Sequence, residues 1–169
     1  SGGLFAGDSN GSLVLNSGTM THFHTKSLNL GTRTFYSDSS GLVILNVAGN
    51  TWANTMIASG TLRCDVPNAL PATSSLRLGI GYGPNGTVNL NGNDQTVSKL
   101  YLDITNAGLR VITSPTPALL TVNQSENTLC DARFTGAVSL LKTGAGSLIL
   151  TNTTTSTAGS FMVSNGTLV

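Results

Sequence analysis

Leu141-Lys142-Thr143-Gly144-Ala145-Gly146-Ser147-Leu148-Ile149-Leu150, followed by Phe161-Met162-Val163-Ser164-Asn165-Gly166-Thr167-Leu168, is the stretch that decides how this chain folds. Leu148 and Leu150 alternate with Ser147, Ile149 and Thr151, a period of two that places successive side chains on opposite faces of a strand. The glycines at 144 and 146 punctuate the chain just before it, as a turn requires. An earlier copy reads Gly41-Leu42-Val43-Ile44-Leu45-Asn46, then Thr55-Met56-Ile57-Ala58-Ser59-Gly60-Thr61-Leu62. The later copy has one extra residue in its intervening loop. Partial copies of the first half stand at Gly11–Asn16 and Gly86–Asn91. Similar strands joined by loops of uneven length suit a solenoid, in which each coil has only to match its neighbours.

The same alternation recurs at Leu13/Leu15, Leu76/Leu78, Leu100/Leu102/Ile104, Leu109/Val111 and Leu120/Val122, with turn residues between most runs. No apolar stripe of helical period with a cap at its start is present, so almost no helix is expected. Composition agrees. Charged residues are only 9% of the chain, against about 25% in an average globular protein. Ser, Thr and Asn fill the gap and make up roughly a third of it. A polar, uncharged exterior of short and often β-branched side chains favours stacked strands over helices.

Several classes of function are disfavoured by the same numbers. The net charge is +1 and the eight basic residues are spread along the chain, which gives neither a nucleic-acid footprint nor a polybasic lipid anchor. No run approaches the roughly 20 apolar residues of a membrane-spanning helix. No leader-like segment stands at the start, and Ser1-Gly2-Gly3 fits a mature N-terminus, so a secreted location is expected.

Leu141–Leu150 with Val163–Leu168 resembles the autotransporter-associated β-strand repeat of bacterial passenger domains. Gly41–Pro71 resembles it too, with Asn50-Thr51-Trp52 where the family carries Asn-Thr-Tyr. The similarity covers residues 40–169, and Lys142-Thr143-Gly144-Ala145-Gly146 is its most specific part. Asn54 departs from the family, which has Gly there, and residues 1–169 hold no outer-membrane barrel, so a piece of a longer passenger or a free-standing protein is expected. The resemblance implies an all-β, right-handed parallel β-helix displayed on a bacterial surface or secreted from it.

These readings give one β-solenoid domain over residues 1–169, with imperfect repeats near 11–30, 41–71, 86–104 and 141–169. At about 20–25 residues per coil it has seven or eight coils. Leu13/Leu15, Val43/Leu45, Val88/Leu90 and Leu148/Leu150 are the expected inward ladders. Terminal coils expose unpaired strand edges that usually carry a cap. No cap is legible here: no charge precedes Asp8 and none follows Lys142. Leu4, Phe5, Val163, Thr167, Leu168 and Val169 are the candidate assembly edges. The expected partner is a second copy, stacked head to tail into a filament. The alternative is a passenger segment of a surface adhesin with a glycan or other surface ligand.

Chemistry is not expected. His22 and His24 share one strand face, but no third metal ligand is near, so they read as two exposed histidines. The seven acids are scattered, without the paired carboxylates of a glycan-cleaving site. Asp131 and Arg133 are expected to form a surface ion pair. Cys64 and Cys130 lie three coils apart, ~14 Å and beyond disulfide reach, so buried free thiols are expected, with a bond between subunits as the alternative. Thr151–Ser160 reads as a solvated loop, with glycosylation as the alternative. Trp52 is expected to pack on the coil, with carbohydrate stacking as the lesser role. No catalytic residue, metal or cofactor is assigned.

Overall fold

A computed structural model of the chain describes residues 5–7, 13–15, 21–79, 85–102, 108–152 and 154–169. Within these, sixteen strands follow one another with no helix. In chain order they are β1 (Phe5–Gly7), β2 (Leu13–Leu15), β3 (Thr21–His24), β4 (Thr34–Leu45), β5 (Asn54–Cys64), β6 (Ser75–Leu78), β7 (Gly86–Asn89) and β8 (Gln95–Val97). Then come β9 (Lys99–Tyr101), β10 (Val111–Asn123), β11 (Thr128–Cys130), β12 (Arg133–Thr143), β13 (Ser147–Leu150), β14 (Ser156–Thr157), β15 (Phe161–Val163) and β16 (Thr167–Leu168).

The strands wind into a parallel β-solenoid of about seven turns with three faces, as the alternation and repeats led one to expect. The first face stacks β2, the start of β4, the start of β5, β6 and β9 in parallel register. It continues through β11, β13 and β16, joined to β9 where Leu102 N–H donates to the Leu129 carbonyl at 3.2 Å. The second face stacks β3, the ends of β4 and β5, β7, the starts of β10 and β12, and β14. The third stacks β8, the ends of β10 and β12, and β15. In the early turns that face is carried by single contacts, such as the bridge between Asn29 and Thr51.

Inward side chains form columns along the axis. On the second face Val43, Leu62, Val88, Ile112 and Phe134 are successive register partners, each fully buried. Burying each contributes roughly 1.5–3 kcal/mol relative to exposure. On the first face the column runs Leu13, Phe35, Thr55, Leu76, Leu100. Thr55 is a hydroxyl in an apolar column, and it is satisfied: Trp52 Nε1 donates to it at 2.7 Å and Ser74 Oγ lies 2.9 Å away.

The expected ladders need one correction. Val43 and Val88 lie on the second face but Leu148 lies on the first, so the similar segments do not stack on one another. In the earlier copy the motif visits the second face at Leu42–Leu45, the first at Thr55–Ile57 and the second again at Thr61. In the later copy it visits the first face, then the third, then the first. Both paths cover one turn, displaced by one face. The three corners are near enough in geometry for one sequence pattern to fit at two of them.

The fold also corrects the reading of the N-terminal end as uncapped. β1 pairs with the outer edge of β2, and it does so antiparallel, Phe5 opposite Leu15 and Gly7 opposite Leu13. Every other pairing among the described residues is parallel. Period-two alternation carries no information on strand direction, so the sequence could not reveal this. Thr151–Ser160 is not simply a solvated loop either, since Ser156 and Thr157 pair with Thr135 and Gly136.

Candidate assembly edge

The last turn is built by the motif first quoted, and its anchor is a buried lysine. Lys142 lies inward on the third face, between Val122 below and Val163 above. Its side chain is completely buried. The ammonium donates to the carbonyls of Thr143 at 2.5 Å and Gly144 at 2.7 Å, and to those of Gln124 and Asn165 at 3.4 Å each. These acceptors belong to the same corner in three successive turns. Loss of solvation pushes the Lys142 pKa below its ordinary value. The glycines let the corners close up: a Cβ on Gly144, at φ 76°, would stand 2.4 Å from the Gln124 carbonyl oxygen. One on Gly166, at φ 77°, would stand 2.3 Å from that of Gly146.

Gln124 does related work with an amide. It accepts from Leu100 N–H at 3.3 Å, and its Nε2 donates to the Ser147 carbonyl at 2.8 Å and to Thr128 Oγ1 at 2.9 Å. Gln95 accepts from Leu70 N–H at 3.0 Å and donates to the Val66 carbonyl at 2.9 Å. Sequence reasoning missed both. The usable signal was their rarity, for they are the only two glutamines in the chain.

Above this corner the last turn is open. Phe161, Met162 and Val163 pair with β12 on one side only, and no strand lies on their other side among the described residues. Phe161 and Val163 are register partners of the inward Leu140 and Lys142, yet they are 39% and 49% exposed because none of the described residues covers them. Phe161 meets the buried Phe134 edge-on at 5.3 Å between ring centroids. Thr167 and Leu168 pair with Ser147 and Leu148, and Val169 is 68% exposed. The structure therefore brings Val163, Thr167, Leu168 and Val169 together on one end. Phe5 is at the other end, in β1, and Leu4 lies outside the described residues. Leu13, Leu28 and Leu30 of the first turn pack against the core while staying partly exposed.

The remaining candidates resolve individually. His24 is half-buried and meets Phe35 edge-on at 6.4 Å, so it is part of the packing rather than an exposed ligand. His22 lies on β3, and its side chain is outside what is described. Among the described residues no three of His, Cys, Asp and Glu cluster. Asp131 does not pair with Arg133. Its partner is Arg110 of the turn before, at 2.5 Å, a guanidinium that is 2% exposed. Asp65 pairs with Arg63 at 2.6 Å and Glu126 with Lys99 at 2.7 Å. Trp52 is buried and stacks on Phe35 at 4.9 Å, which removes it from any sugar-stacking role. Cys64 and Cys130 are free and buried, and burial raises both thiol pKa values to about 12.

One outward patch mixes aromatic and charged groups. Lys99 Nζ lies 4.8 Å from the centre of the Tyr101 ring and Arg77 Cζ lies 5.7 Å from it. Half-exposed Leu129 and Ile149 line the same surface.

No helix among the described residues is long and apolar enough to cross a membrane, a statement that leaves β-barrels aside. No family model, no curated protein and no solved structure matches the chain, so its placement rests on the β-solenoid fold itself.

Proposed function

We propose that this protein is an extracellular, non-catalytic structural subunit whose solenoids stack head to tail into a filament. The observation that carries the reading is the open parallel edge at Phe161–Val163 and Thr167–Val169. Among the described residues no strand lies over its apolar side chains, and residues 143–169 carry no charged side chain. Such an edge is a template for a further strand, and a contact between unlike ends does not close, so it propagates. In the first turn Leu28 and Leu30 are partly exposed aliphatic side chains, whereas the edge of β2 is covered by β1. Secretion to a bacterial surface fits the low charge and the passenger-like repeat.

A second reading is favoured by the Tyr101 patch. There the chain is a passenger-like segment of a surface adhesin, and Tyr101, Arg77 and Lys99 meet a glycan or other surface ligand.

Negative-stain microscopy of wild type and Val163→Glu separates the two. Position 163 is the register partner of Lys142, and a glutamate there places a charge on the edge of β15. Stacking requires uniform fibres from wild type and none from the variant. Short isolated rods from both would overturn the filament reading and leave the adhesin reading standing.

A further inference from the structure

Asn-Gly pairs are prone to cyclise, because glycine has no Cβ to keep its backbone nitrogen away from the preceding side-chain amide. Three such pairs lie among the described residues: Asn85-Gly86, Asn91-Gly92 and Asn165-Gly166. The fold treats them differently. Asn85 Oδ1 accepts from the N–H of Leu109, in the next turn, at 2.8 Å. Asn91 Nδ2 donates to Asp65 Oδ1 at 2.8 Å, and Gly92 N–H donates to Ser114 Oγ at 2.9 Å. In both pairs a neighbouring turn holds the side-chain amide, and at Gly92 the nitrogen is held as well. In the third pair the two reacting groups face each other: Gly166 N–H donates to Asn165 Oδ1 itself, at 2.8 Å.

We propose that Asn165 is a site of spontaneous deamidation, converted through a cyclic imide to isoaspartate and aspartate, and that the fold spares Asn85 and Asn91. Solvent base takes the Gly166 N–H proton, the nitrogen bonds to Asn165 Cγ, and Nδ2 leaves as ammonia. Water then opens the imide at either carbonyl. Opening at the former Cγ gives aspartate. Opening at the former main-chain carbonyl gives isoaspartate and lengthens the backbone by a carbon. The short contact supplies the approach, since the oxygen that holds the nitrogen is bonded to the carbon it must attack. Lys142 bears on the second step. Its ammonium donates to the Asn165 main-chain carbonyl at 3.4 Å, and in the imide this bond polarises that carbonyl toward water. In isoaspartate the same carbonyl becomes a free carboxylate, so an ammonium held by carbonyls gains a charged partner. The reaction needs neither an enzyme nor a partner chain.

Peptide mapping by mass spectrometry of the soluble full chain, aged in mildly alkaline buffer, follows all three sites in one sample. Chromatography separates the isoaspartyl from the aspartyl peptide, and a second sample aged in urea gives each site's rate in the unfolded chain. In the folded chain Asn165 should convert about tenfold faster than Asn85 and Asn91, which must first give up a bond to another turn. In urea the three rates should converge. No conversion at Asn165 in the folded chain, equal folded rates at the three sites, or an undiminished lead for Asn165 in urea would each overturn the proposal.

Discussion

Lys142 Nζ donates to the carbonyl of Gln124 across 3.4 Å, so that a cation inside an apolar column ties one corner to the turn beneath it. No carboxylate is its partner in any hydrogen bond described; carbonyl oxygens satisfy it. Replacement by Met fills the column but leaves several buried carbonyls short of a donor. Lys142→Met is expected to lower unfolding stability by about 1–3 kcal/mol, measured by urea titration. An unchanged midpoint would show that the ammonium contributes nothing net.

The same corner sets limits on its glycines. Gly166→Ala combines a left-handed backbone with a close approach to the Gly146 carbonyl. About 1–3 kcal/mol of strain is expected there. The loss should concentrate in the last turn, so faster amide exchange at Thr167–Val169 with little change at Val88 is the expected pattern.

Cys64 and Cys130 make stability depend on alkaline pH. Their folded pKa values, about 12, lie above the ordinary thiol value of 9.0, so the fold favours the neutral form. Their contribution is complete below pH 9 and is lost as pH rises toward 12. Each thiol steepens the decline by about 1.4 kcal/mol per pH unit within that window. The difference in unfolding stability between wild type and Cys64→Ala/Cys130→Ala isolates the effect, and it should shrink from pH 9 upward. Labelling by a thiol reagent should also require unfolding.

Asp131→Ala leaves Arg110 buried without its carboxylate. Removing one partner of a buried pair costs roughly 3–5 kcal/mol, and the partial exposure of Asp131 places the expected loss at the low end. Arg133→Ala should cost far less. Equal losses would restore the pairing of neighbours that the sequence suggested.

Much of this was legible from residue order because period two is a property of single strands. Leu13/Leu15, Val43/Leu45 and Leu120/Val122 announced strands directly, and the glycines of 144–146 announced a corner. What stacks on what was not legible. Register partners lie 19 residues apart at Val43 and Leu62 but 26 apart at Leu62 and Val88, since loops vary in length. Hence Val43 and Leu148 looked like one ladder and are not. Hence also Asp131 was matched with Arg133 in sequence instead of with Arg110 one turn away. The direction of β1 left no trace in alternation. Val163, Thr167, Leu168 and Val169 do lie together on the last turn, while their service as an assembly edge is a proposal.

Sedimentation velocity of the wild-type chain over a wide concentration range tests the central claim most directly. Head-to-tail stacking requires fast, concentration-dependent boundaries from elongated polymers. A single monomer boundary at every concentration would contradict it.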